Sequence, residues 1–283
     1  MGGAHTTLER LAATAVSWPA LSRLTGRLSD LRPPAFLLAP AIRLYTHAFG
    51  ADLSEAALPA EGYPSFNAFF TRRLREGARP IAGGEGVVVS PSDSRLRGIG
   101  PIPPDGRLDQ VKGSSYSIEA LLGSVEDASP FRRGVYATLY LSPAMYHRVH
   151  SPVDGRVRAW RYVPGRLFPV NAPAVRSIPG LFTRNERVAL FVDTGAHGPV
   201  AVVLVGAANV GRLSLAFAGL VTNRGRAADR VVPTEPVTVR RGDELGAFNL
   251  GSTVVLLLAD PGLAPAAGAG DLVRVGQALW RRS

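Results

Sequence analysis

Cysteine is absent from this 283-residue chain. That removes disulfides, thiolate metal sites and a thiol nucleophile together, and it leaves the redox compartment open. Lysine is almost absent: Lys112, in QVKGSS, is the only one. An enzyme that anchors pyridoxal phosphate needs a Schiff-base lysine, and this one falls in a segment read as an edge or loop. Long apolar runs are missing too. No stretch reaches the roughly 18–20 residues that a spanning helix requires. The opening MGGAHTTLER has no basic stretch followed by an apolar core, so no secretory signal is expected.

Acidic residues are in deficit, 22 against 32 basic ones, and the resulting net charge of +10 is carried almost wholly by arginine. Such a surplus favours polyanionic partners. The arginines are scattered and form no recognition-helix or zinc-finger pattern, so an anionic membrane surface is expected and nucleic acid is not. An apolar share of 46% with 19% charged residues marks a globular chain able to bury a substantial core.

Two textures divide the chain near residue 84. In residues 1–84, Leu8, Leu11, Ala12, Ala15 and Leu21 form a broken helical stripe interrupted at Pro19, followed by the short apolar run RPPAFLLAPAIRLY. This reads either as helices packed on the core or as a basic amphipathic segment lying in a membrane interface. Phe66, Phe69 and Phe70 in SFNAFFTRRLREGARP have helical spacing and are expected to anchor that helix. From residue 85 to 283, short β-rich runs alternate with Gly/Pro turns: GVYATLYLSP, GRVRAWRYVPG, RVALFVDTG, PVAVVLVGAANVG, STVVLLLAD. Many short strands without long intervening helices predict an α+β chain, with a helical N-terminal segment and an antiparallel sandwich or barrel-like body. SIEALLGS is the clearest helix there, with Ser117 as N-cap.

Candidate chemistry lies in three places. His147 and His150 occur in SPAMYHRVHSPVDG, where Ser142-Pro143 predicts a short helix start and Asp154-Gly155 a turn. Residues three apart share a helix face but fall on opposite faces of a strand, so both imidazoles serve one site only if the chain changes conformation near them. Asp93, in SPSDSRL, sits in a turn, where an aspartate ordinarily bonds its own backbone but could also orient an imidazole. Ser252 follows Gly251 at the start of a buried strand in FNLGSTVVLLLAD. It is either a locally satisfied hydroxyl or a nucleophile given room by the glycine. His5, His47 and His197 carry no supporting context and are read as surface residues.

Five stretches, SFNAFFTRRLREGARP, QVKGSSYSIEALL, YHRVHSPVDG, LFTRNERVALFVDT and FNLGSTVVLL, occur in an order and at intervals that resemble the phosphatidylserine decarboxylase proenzymes over roughly residues 63–280. The resemblance implies self-cleavage between Gly251 and Ser252, giving a β chain of residues 1–251 and an α chain of 252–283. Ser252 would attack the Gly251 carbonyl and end as a covalent pyruvoyl cofactor, with His150 as base and Asp93 as its orienting partner. The pyruvoyl group would form a Schiff base with phosphatidylserine, and His147 would return the proton after CO2 leaves, yielding phosphatidylethanolamine. No metal is implied. The family resemblance also implies a peripheral membrane protein at the cytoplasmic face of the cell membrane, and a homodimer stays open. Family members usually carry glycine after the motif aspartate, where this chain has Ser94; a positive φ there would strain serine. Arg184 and Arg187, in FTRNERV, could meet phosphate or form structural ion pairs. Two other readings remain at this point: a hydrolase using Ser252, His150 and Asp93 on an external ester, and a non-catalytic lipid- or carrier-type β module.

Overall fold

The computed structural model describes residues 19–111, 113–208, 212–222, 227–249 and 252–282. Leu8 to Ala15, Lys112 and Gly251 therefore lie outside the described residues. The chain opens with helices α1 (Pro19–Asp30), α2 (Ala35–Phe49) and α3 (Phe66–Phe70). Gly50 ends α2 in the left-handed conformation, at φ 67°, which suits a residue without Cβ. Ser65 starts α3 by accepting a hydrogen bond from the Ala68 N–H at 3.1 Å. Phe69 and Phe70 are fully buried against Leu38 and Ile42 of α2, as the helical spacing predicts.

Strands then follow: β1 (Val88–Val89), β2 (Ser94–Pro101), β3 (Arg107–Val111) and β4 (Ser114–Ser117). Two short helices, α4 (Ile118–Leu122) and α5 (Val125–Ala128), lead into β5 (Val135–Leu141), β6 (Arg148–His150) and β7 (Gly155–Val163). Ser117 caps α4 through the Ala120 N–H, as expected. Helices α6 (Ala172–Ser177) and α7 (Leu181–Arg184) precede β8 (Arg187–Thr194), β9 (Gly198–Gly206), β10 (Leu213–Leu215), β11 (Asp229–Val231) and β12 (Val237–Val239). The last strands are β13 (Glu244–Phe248), β14 (Ser252–Leu258), β15 (Leu263–Pro265), β16 (Leu272–Val273) and β17 (Ala278–Arg282).

Nine of these strands form the main antiparallel sheet, in the order β11-β7-β8-β9-β14-β5-β2-β16 with β12 also on β7. The sheet is open, so the body is sheet-built but not a closed barrel. Strand β14 lies well inside it, paired with β9 on one side and β5 on the other, and all seven of its residues are buried. A strand covered on both faces reads as an unbroken apolar run, which is the pattern of VVLLL. A smaller sheet, β10-β13-β6, sits beside it. The chain passes from β13 of the small sheet to β14 of the large one, and Ser252 is the first residue after that passage.

Candidate functional site

Ser252 is fully buried and pairs in register with Leu141 of β5 and Gly206 of β9. Its Oγ has no hydrogen-bond partner among the described residues. Four residues earlier, the Phe248 N–H donates to the His147 carbonyl at 3.0 Å. The segment from Leu141 to His147 is therefore tied down at both ends of the stretch between Phe248 and Ser252.

That segment is a turn and not the helix start predicted from Ser142-Pro143. The Met145 N–H bonds the Ser142 carbonyl at 3.0 Å, a single reverse turn between β5 and β6. The Pro143 and Ala144 carbonyls, which a continuing helix would use internally, accept from side chains of other segments instead. The N-terminal helices buttress this turn. Tyr45 Oη donates to the Pro143 carbonyl at 3.1 Å, and the buried Arg72 donates to the Ala144 carbonyl at 3.3 Å.

His147 is fully buried, with its ring 4.0 Å from that of Phe70. Its Nδ1 lies 2.8 Å from the Met145 carbonyl, an acceptor, so Nδ1 carries the hydrogen and Nε2 keeps a lone pair. Nε2 has no partner among the described residues. Loss of hydration drives the imidazole pKa down to about 3, so the ring is neutral at pH 7.

His150 ends β6 in a different setting. Nδ1 donates to the Gly242 carbonyl at 2.7 Å, and Nε2 accepts from the Tyr146 hydroxyl at 3.0 Å. Burial pushes the Tyr146 phenol up to about 12, so it stays protonated and acts as donor. Burial also lowers the His150 pKa below its ordinary value, against a smaller opposing effect of the Gly242 hydrogen bond.

Asp93 is not bonded to His150. Its carboxylate takes a forked pair from Arg79 (Nε at 2.9 and 3.2 Å, Nη2 at 2.5 Å) and the Val275 N–H at 2.9 Å. Arg79 also meets Glu55 at 2.8 Å. The aspartate turn and the histidine nevertheless adjoin, because the His150 N–H donates to the Pro91 carbonyl at 2.8 Å. Asp93 acts on the imidazole only through its charge, which favours the protonated form. Ser94 is the first residue of β2, paired with Val273. That extended position asks for no positive φ, and serine there carries none of the strain expected of it.

Some partners were not foreseen from the residues. Tyr146 and Arg79 lie inside quoted motifs and show their roles only through contacts. The Gly242 carbonyl has no residue-type signature at all. His197, read as a surface residue, is buried and lies 3.1 Å from Asp260, an ion pair when the imidazole is protonated. Arg187 is also buried, and its donors go to the carbonyls of Ala120, Leu121, Thr183 and Asn185, at 2.5–2.8 Å. It is a structural clamp on α4 and α7, not a phosphate ligand. Arg184 lies over the Phe168 ring at 4.9 Å.

Two cavities flank the site. One of about 480 Å³ exposes His150 and Tyr146 among Arg73, Arg79 and Glu244. The other, about 570 Å³, opens beside Thr253 on the far face of β14.

The sequence profile of the phosphatidylserine decarboxylase family matches residues 66–281. Among curated proteins, a phosphatidylserine decarboxylase proenzyme of Anaeromyxobacter sp. (strain K) is 46% identical over 269 residues, covering 92% of this chain and 93% of the relative. The proenzyme so named in Bordetella avium is 46% identical, over 84% of this chain and 81% of its own length. That of Pseudomonas aeruginosa (strain LESB58) is 44% identical, over 92% and 91%.

Proposed function

This chain belongs to the phosphatidylserine decarboxylase family, and we propose that it removes CO2 from phosphatidylserine to leave phosphatidylethanolamine, after cutting itself between Gly251 and Ser252. The observation that carries the reading is the Ser252 hydroxyl, fully buried and without a polar partner among the described residues. Leaving such a group unpaired costs about 1–3 kcal/mol; Ser92 and Thr253 are also buried and unpaired, and Ser252 differs from them in directly following Gly251 at the passage between the two sheets. A nucleophile has to keep its hydroxyl uncommitted.

In the self-cleavage, Ser252 Oγ attacks the Gly251 carbonyl carbon and loses its proton to a base. The peptide C–N bond breaks as the ester C–O bond forms, which frees the residue 252 nitrogen. Elimination then breaks the Cβ–O bond, releasing Gly251 as a carboxylate. Water hydrolyses the resulting dehydroalanine to ammonia and a pyruvoyl group at position 252. The products are residues 1–251 and 252–283.

His150 suits the base. Burial keeps it neutral, its hydrogen is committed to Gly242, and its one lone pair is on Nε2. Tyr146 holds that lone pair and must release it when the serine proton transfers. Asp93, steadied by Arg79, supplies the negative charge that favours the imidazolium formed in the step. Position 252 fits a covalent pyruvoyl group, which supplies an electrophilic carbonyl and an electron sink for the departing carboxylate. His147 begins neutral with an unshared lone pair, so it can return to the substrate carbon only a proton that it has first accepted.

The N-terminal helices support a membrane setting. Phe36, Leu37 and Leu44 of α2 and Leu24 and Leu28 of α1 are exposed, beside exposed Arg27, Arg32 and Arg43. No helix among the described residues is long and apolar enough to cross a membrane. An apolar face edged with arginine suits a helix lying in the interface of an anionic leaflet. We propose a peripheral position on the membrane, at its cytoplasmic face.

Intact mass under denaturing conditions tests the cleavage. Two chains are expected, the 252–283 chain with a blocked N-terminus, and Ser252→Ala should stay a single chain. An unaltered chain that remains whole overturns the reading; one that also hydrolyses esters would be a serine hydrolase, and one that only binds lipid a carrier-type module.

A further inference from the structure

The cavity of about 570 Å³ beside Thr253 has a composition that its neighbours do not explain. Val170 and Phe182 give it apolar walls, and Tyr140 lies across from Thr253 in the β5–β14 register. Two arginines, Arg97 and Arg176, stand at its exposed edge. Arg97 lies over the Tyr140 ring at 5.0 Å, and neither guanidinium has a hydrogen bond or ion pair among the described residues. The buried Arg187 and the half-buried Arg79 spend their donors on the protein, whereas these two keep theirs. Alternation along β14 puts Thr253 on the cavity face and Ser252 on the other. The cavity therefore begins one residue from the proposed reaction centre, and its volume suits a small organic ligand.

We propose that this cavity holds the glycerophosphate part of phosphatidylserine, with Arg97 and Arg176 on the phosphodiester; this rests on the decarboxylase reading above. The phosphorus of that lipid lies three bonds from the carbon that loses CO2, so a phosphate site next to position 252 matches the substrate's own dimensions. Paired guanidiniums match phosphate oxygens in geometry and charge. The apolar walls take the glycerol and the first acyl carbons. Before cleavage, peptides on both sides of residue 252 hold its side chain away from this face, and cleavage removes one of them.

The test is calorimetric binding to the uncleaved Ser252→Ala chain, which separates binding from turnover. The probes are a short-chain phosphatidylserine and a short-chain phosphatidylethanolamine, both monomeric in solution, and inorganic phosphate. Both lipids should bind, and Arg97→Gln/Arg176→Gln should weaken both by about tenfold or more, since both carry the phosphodiester. Arg97→Lys/Arg176→Lys should recover part of the loss. Inorganic phosphate should bind far more weakly, lacking the apolar part. Equal lipid affinity with and without the arginines overturns the proposal. So does loss confined to phosphatidylserine, which would assign the arginines to the carboxylate, or phosphate binding as tight as that of the lipids. Failure of the underlying reading looks different: the otherwise unaltered chain would stay whole and release no CO2.

Discussion

Three residues apart in sequence, His147 and His150 are held in unlike surroundings, and their chemistry differs for that reason. His147 has lost all contact with water and packs on Phe70; His150 keeps a polar partner at each nitrogen. His147→Gln should therefore still cut itself while its decarboxylation falls by at least about 100-fold, read as CO2 release beside the intact mass. Failure to cut would merge two roles that the geometry keeps apart. The same residue makes an acid-stability prediction. Its folded pKa, about 3, lies below the ordinary 6.5. As pH falls through 6.5 the unfolded chain takes up this proton and the folded one does not, so stability is lost between pH 6.5 and 3. One such proton corresponds to about 1.4 kcal/mol per pH unit. Urea unfolding at pH 7 and pH 5 should show the decline, and His147→Gln should make it shallower.

Helix α2 is an element with two apolar faces. Leu38 and Ile42 face Phe69 and Phe70, while Phe36, Pro40 and Leu44 recur at four-residue spacing on the exposed side. Water penalises the second stripe and an interface rewards it: burying a large apolar side chain is worth about 1.5–3 kcal/mol. Phe36→Ser/Leu44→Ser should lower partition onto anionic vesicles by about tenfold or more, measured by sedimentation, with the two-chain mass pattern retained. Unchanged partition would refute the interfacial role. Because α2 through Tyr45, and α3 and the residue after its cap through Phe70 and Arg72, also brace the Pro143–His147 turn, the element proposed to meet the lipid also stiffens the turn that carries a catalytic candidate.

At the scale of the whole molecule, the proposed cut removes nothing from the core. Residues 252–282 contribute β14 to the main sheet with partners on both sides, β16 to its edge and β17 to the sheet with β1. Asp93 bonds the Val275 N–H and His197 meets Asp260, each across the two products. Separating them would expose an entire buried strand and its hydrogen bonds. Both chains should co-elute in native size exclusion down to nanomolar concentration and part only in denaturant. Loss of the smaller chain on dilution would show that cleavage opens the fold.

Much of this design is local and so legible in the residues. The run Val254–Leu258 is apolar enough to be a strand buried on both faces, Ser117 and Phe69–Phe70 follow helix rules that span only a few residues, and collinear motifs suffice to point at Ser252. The partners of each candidate side chain are another matter. Ser142-Pro143 has the letters of a helix start, yet Tyr45 and Arg72 take the carbonyls that a helix would need and leave a turn. Asp93 goes to Arg79 and Val275, and His150 to Tyr146 and a glycine carbonyl, because folding brings segments up to 182 residues apart to within hydrogen-bond reach. Backbone carbonyls are the same at every residue, so composition and spacing cannot mark which one an imidazole will find. Chain direction and strand period are short-range properties written along the sequence; the environment that sets a pKa is a sum over neighbours that only the packed structure selects.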